Sequence, residues 1–184
     1  MVFHGDVYTP AMTDAISQLQ MLYVAEEDRI LFRVNSTDKK EYRFWVTRRY
    51  AILLAKVLSD HKQSDPDISS QVTQQAKAAV QNFKKEKAMD DATFGEKFKG
   101  EGNEYPLGQD IQLAFKLSYN RRDDGTLYLS VQPKDGQGIS IVLNQDINTT
   151  LTQLLITAGH KGNWKLEEMF DQNSADSPRN VVIN

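Results

Sequence analysis

Cysteine is absent from the 184 residues, which excludes disulfides, thiolate metal sites and thiol nucleophiles. Histidine is almost as scarce. His4, His61 and His160 each stand alone, without the HxxxH or HExxH spacing that gathers ligands around a metal. His61 and His160 fall just past two expected helices, where an imidazolium suits the negative end of the dipole. The ten glycines form neither GxGxxG nor GxxxxGK[ST], so no phosphate cradle is written into the chain. No serine lies in a GxSxG elbow, and Asp123-Asp124 sits in an expected turn, where aspartate bonds to backbone. No catalytic residue, metal or cofactor is therefore assigned. No apolar run approaches the roughly 18–20 residues that cross a bilayer. The start, MVFHGDVYTPAMTD, lacks the basic and apolar regions of a secretory signal, so the expected location is the cytoplasm, away from membranes. Neither charge dominates. A net charge of −3 argues against broad coating of nucleic acid, although Arg29, Arg33, Arg43, Arg48 and Arg49 crowd into one stretch.

What is present is patterned. Ile30, Phe32 and Val34 alternate with Leu31 and Arg33; after a turn over 35–40, Tyr42, Phe44 and Val46 alternate with Arg43 and Trp45. Successive side chains of a strand point to opposite faces, so this is a hairpin with one buried face. Leu127, Leu129 and Val131, then Ile139, Ile141 and Leu143, make a second hairpin around Asp135-Gly136, a pair suited to positive φ. Each hairpin runs into a helix. Thr47 and Asn144 are caps; Tyr50, Leu54, Val57 and Leu58, and Ile147, Leu151, Leu154 and Leu155, are the apolar stripes; Gly159 is the expected C′ residue of the second helix. Leu19, Met21 and Tyr23 precede the first hairpin, as Leu113, Phe115 and Leu117 precede the second, and each set predicts one further strand.

The expectation is an α+β fold in a single domain spanning 1–184. It holds two antiparallel strand–strand–strand–helix units, at 16–61 and 109–160, joined by a long helix over 66–90. Adding 97 maps Ile30–Leu58 onto Leu127–Leu155 without a gap, and an offset of 94 maps the upstream strands, which suggests an internal duplication. Asp65-Pro66 starts the connecting helix. Its apolar edge is Ile68, Val72, Ala76, Ala79, Val80 and Phe83, through Met89; Gln74, Lys77, Gln81, Lys84 and Lys85 make the solvated face. Residues 92–108, rich in glycine, predict a loop pinned by Phe94, Phe98 and Tyr105. A turn or short strand follows around Trp164–Phe170, and the polar 171–184 tail is expected to be mobile.

The stretches EDRILFRVNSTDKKEYRFWVTRRYAILLAKVL at 27–58 and YPLGQDIQL at 105–113 resemble a group of small bacterial proteins of unknown function. That resemblance implies a bacterial, non-secreted protein and brings no activity. The layout of strands followed by a helix, twice over, is similar to the Whirly and Pur-alpha type of fold, whose sheets bind single-stranded nucleic acid. Three strands per unit, where those folds have four, is a departure.

The candidate site is the back of the first hairpin. If Phe32, Val34, Tyr42 and Phe44 face the core, Arg33, Arg43, Trp45 and Leu31 face away, and Arg48 and Arg49 follow at the helix start. Tryptophan among arginines suits base stacking with phosphate neutralisation. It equally suits a protein interface, where both residues are enriched as hot spots. A third account has the connecting helix covering Trp45 and Leu31. The function expected first is a non-enzymatic binding or adaptor protein, with a protein partner or a second copy of itself. Second comes a single-stranded nucleic-acid binder, and third an enzyme of a kind the motifs do not reveal.

Overall fold

The fold, a computed structural model, is described for residues 16–91, 98–100, 104–171 and 180–183. The expectations placed on His4, Phe94 and most of the 171–184 tail lie outside them. The chain is α+β. β1 (Ile16–Val24), β2 (Arg29–Ser36) and β3 (Glu41–Val46) pair antiparallel and lead into α1 (Arg48–Gln63). α2 (Pro66–Ser69) and α3 (Gln74–Asp91) follow. β4 (Gln112–Leu113) joins β3 in parallel and completes the first sheet, in the order β1-β2-β3-β4. β5 (Lys116–Arg121), β6 (Leu127–Gln132) and β7 (Ile139–Leu143) lead into α4 (Gln145–Lys161) and α5 (Glu168–Asp171). β8 (Asn180–Ile183) adds to β5, giving a second sheet ordered β7-β6-β5-β8.

Both hairpins form as the alternation predicts, and in the same register. Ile30 opposite Val46, Phe32 opposite Phe44 and Val34 opposite Tyr42 become, 97 residues later, Leu127 opposite Leu143, Leu129 opposite Ile141 and Val131 opposite Ile139. The caps correspond too. Thr47 accepts from the Tyr50 amide and Asn144 from the Ile147 amide, each satisfying an orphan donor of the first turn. Gly136 supplies the positive φ (92°) of the second hairpin turn.

Several expectations need correction. Leu113, Phe115 and Leu117 do not share a strand. The Ala114 amide bonds to the Trp45 carbonyl in the first sheet, and the next amide, of Phe115, bonds to Gln132 in the second, so the chain crosses between sheets there. Leu19 faces Val34 as Leu117 faces Val131, which sets the upstream offset at 98 rather than 94. The stretch 66–90 is not one helix: it breaks after Ser69, and α3 restarts at Gln74 with a different rotation. Val72 and Phe83, expected on the packing edge, are 98% and 68% exposed, whereas Lys77, Gln81 and Lys84, expected in water, are half-buried. Lys84 turns inward because its ammonium meets Asp65, the buried cap of α2, and Asp67 at 2.8 Å. Burial lowers the Lys84 pKa, but the bonds to Asp65 and Asp67 outweigh it and the net shift is upward. Gly159 is not the C′ residue, since α4 continues to Lys161; a Cβ there would lie 2.6 Å from Leu166 Cδ1, so its role is close packing. The end of the tail is not loose: its β-branched Val181, Val182 and Ile183 lie in β8, the fourth strand of the second sheet.

One continuous core joins the inner faces of both sheets with α1 and α4. The packing is crossed. α1 lies against α4, α5 and β5, and α4 lies against α1, α3 and β1, so each helix reaches a strand of the other unit.

A two-sheet face and groove as the candidate functional site

Register defines the outer face of the first sheet row by row. Phe32, Val34, Tyr42 and Phe44 are buried on the inner face, so the alternate residues lie outward. One outward row runs across all four strands: Leu22 on β1, Leu31 on β2, Trp45 on β3 and Leu113 on β4. Every member is apolar. Leu31 and Trp45 are half-buried, while Leu22 and Leu113 at the two ends are 42% and 41% exposed.

The next row holds Gln20, Arg33 and Arg43, and the one beyond it holds Gln18, Asn35 and Glu41. The segments 98–100 and 104–110 lie against these two rows. The Arg33 guanidinium stacks on the Phe98 ring at 3.8 Å, and that of Arg43 on Tyr105 at 4.0 Å. Arg33 also bonds to the buried Glu41 carboxylate at 2.8 Å, and Arg43 donates to the Gln109 carbonyl. Asn35 donates to the Lys99 carbonyl, and the Lys99 amide donates to Gln18. Gly100 passes so close that a Cβ would meet Arg33 Nη2 at 2.9 Å. The pinning expected of Phe98 and Tyr105 is thus present, and the arginines are the groups they pin. The connecting helices do not cover Trp45 and Leu31: α3 packs chiefly on α4 and α2.

The apolar row continues into a groove. Leu113, Ala114 and Phe115 form one wall, and Thr47, Arg49, Tyr50 and Leu53 of the α1 start form the other, around a cavity of about 170 Å³. Phe115 is 43% exposed. The Tyr50 hydroxyl donates to the Lys116 carbonyl at 3.2 Å, and burial pushes its pKa well above the ordinary phenol value. Arg49 in this wall and Arg48, which precedes it in the first turn of α1, are both exposed. The first turn of α1 contains no acidic residue, so two cations sit at the positive end of the helix dipole, an arrangement that costs stability.

The five residues singled out from sequence therefore divide. Trp45 lies in the apolar row and Arg49 in the groove wall, with Arg48 adjacent; Arg33 and Arg43 are turned toward the protein's own aromatics. Leu22, Leu113 and Phe115 were missed as surface residues. Leu22 was legible as the outward neighbour of Met21 and Tyr23. Leu113 and Phe115 were hidden, because their alternation with Leu117 reads as an ordinary core strand. On the second sheet the equivalents of Arg33 and Arg43 are Ser130 and Ser140, whose buried hydroxyls have no hydrogen-bond partner among the described residues. That face carries no matching arginine.

The sequence places His61 just past the first helix, as an imidazolium at the negative end of its dipole. It lies instead inside the last turn of α1 and is 1% exposed. Its Nε2 donates to the Gly125 carbonyl at 2.9 Å, and its Nδ1 accepts from the Asn148 amide at 2.7 Å. Burial lowers its pKa more than the Gly125 bond raises it, so the ring is neutral. Nothing local signalled this, because the partners are 64 and 87 residues away.

Among the described residues no cluster of His, Asp or Glu could hold a metal ion, and no helix is long and apolar enough to cross a membrane. The class the structure defines is an α+β protein of two four-stranded sheets with an open apolar row on one of them. Comparison with family models, curated proteins and solved structures finds no match to the chain.

Proposed function

We propose that this is a non-enzymatic binding protein whose protein partner docks on the open end of the first sheet's outer face. The carrying observation is the Leu22–Leu31–Trp45–Leu113 row, continuous with the Phe115 groove. Apolar side chains in an unbroken line across a sheet, left partly in water, favour contact with another surface. Trp45 and Arg49 are residue types enriched at the energetic centre of interfaces. The cations at the start of α1 support the same reading, because they weaken the helix they begin. Single-stranded nucleic acid is less well served: two of the arginines that would meet phosphates already stack on Phe98 and Tyr105.

The test is selection of short random peptides on the wild-type chain, repeated on Leu113→Asp/Phe115→Asp. Both positions are exposed, so the variant should keep its stability to about ±0.5 kcal/mol, checked by circular dichroism and urea denaturation. Peptides enriched on wild type should bind the variant about tenfold more weakly or worse. No enrichment, or enrichment indifferent to the two substitutions, overturns the reading.

A further inference from the structure

We infer that the segment docking on this face is an acidic one: a large aliphatic or aromatic side chain for the groove, flanked by aspartate or glutamate. The inference rests on the binding reading above and adds the chemistry of the partner.

Size comes first. A cavity of about 170 Å³ is comparable to one that accepts benzene, so it holds one leucine- or phenylalanine-sized group. Its lining is apolar apart from the Thr47 hydroxyl, the Arg49 guanidinium and the hydroxyl of Tyr50, which is already bonded to Lys116. A buried anchor therefore needs no polar atoms of its own, and the charge it meets is the arginine on the rim.

Charge comes second. The cations that count are at the start of α1: Arg49 lines the groove and Arg48 precedes it, both exposed, whereas Arg33 and Arg43 are engaged by Phe98, Glu41, Tyr105 and the Gln109 carbonyl. Arg29 has Glu27 at 3.6 Å and Arg33 has Glu41 at 2.8 Å. Among the described residues no ion pair involves Arg48 or Arg49. The amides of the first α1 turn add positive potential to the same spot, and no acid in that turn offsets it. This local excess stands on a chain whose net charge is −3, so it is not a by-product of general basicity. A carboxylate beside the anchor would pair with a guanidinium through two parallel bonds. A second copy of the chain is the poorer occupant, because a two-fold contact sets the same patch against itself and brings arginine against arginine.

The experiment compares peptides selected on wild type with those selected on Arg48→Glu/Arg49→Glu, both positions being exposed. Wild type should enrich peptides with a bulky apolar residue next to Asp or Glu. The reversed variant should lose those by about tenfold and enrich Lys- or Arg-containing ones instead. Affinity of one synthetic acidic peptide should fall between low and physiological salt. Enriched peptides that depend on Leu113 and Phe115 but are neutral or basic on wild type overturn this inference and leave the binding reading standing. An absence of patch-dependent peptides overturns both. A wild-type dimer that Leu113→Asp/Phe115→Asp dissociates in sedimentation names the second copy as occupant and overturns the acidic partner. Binding of a single-stranded oligonucleotide that the same variant abolishes does so as well.

Discussion

Arg33 and Arg43 stand opposite one another on β2 and β3, and nothing in their local sequence separates them. Their surroundings do. Arg33 compensates a carboxylate whose side chain is fully buried, whereas Arg43 holds a half-buried, uncharged ring and one carbonyl. Arg33→Ala leaves the Glu41 carboxylate without this guanidinium and should cost about 3 kcal/mol, as when a buried pair is broken. Arg43→Ala should cost about 1 kcal/mol, the scale of a surface cation–π contact and one hydrogen bond. Phe44 follows Arg43 in sequence but points to the inner face and is fully buried; its replacement by alanine should cost about 3–5 kcal/mol by leaving a cavity. Urea denaturation of the three variants checks the order, and equal losses for the two arginines would show that Glu41 does not depend on Arg33.

Strand and helix differ in how far a local pattern carries. The period-two alternation of β2, β3, β6 and β7 survives into the fold, because a strand's two faces are set by its pleat. A helix face is set by rotation, and a break resets it. Extending the apolar stripe through Val72 to Phe83 assumed an unbroken helix; the break at 70–73 turned Phe83 outward and Lys84 inward. Phe83→Ser should therefore change stability by no more than about 0.5 kcal/mol. Ile68→Ala, at the one buried position of the short α2, should cost about 2–4 kcal/mol. Thermal and urea unfolding of both variants measure the contrast; a large loss at Phe83 would mean that the continuous stripe was right.

At the scale of the molecule, the two units are locked by crossed helices and by one buried polar node. Asn148 of α4 donates to the Leu58 carbonyl and to His61 Nδ1, and accepts from Thr152; Gln145 donates to the His61 carbonyl. Asn148→Ala strands these groups away from water and should cost about 1–3 kcal/mol. The node also predicts a pH dependence. His61 is held neutral, chiefly by burial, with Arg121 adding to the effect and the Gly125 bond and Asp65 opposing it. Its folded pKa lies below the unfolded value, so the unfolded chain binds the proton first as pH falls. Stability should therefore drop as pH falls below about 6.5, the ordinary histidine value, and go on dropping down to the lower folded pKa. His61→Gln keeps a donor for Gly125 and should lose that slope between about pH 7.5 and 5.5, as read by urea midpoints. A slope unchanged in this variant would assign it to another group.

The hairpins, the caps at Thr47 and Asn144 and the burial of Phe44 were all readable along the chain. Each depends on neighbours within one turn or one pleat, and the free energies involved are local ones. The destinations of Leu113 and Phe115, the inward turn of Lys84, the neutrality of His61 and the unequal roles of Arg33 and Arg43 were not. Each rests on a contact between residues far apart in sequence, and which surface comes to lie against a given side chain is settled when the sheets and helices pack. The same holds for the candidate docking face. Its residues were largely nameable one by one, but the row from Leu22 to Leu113 exists because β4 crosses over to the first sheet, and no local preference of Gln112-Leu113 specifies that.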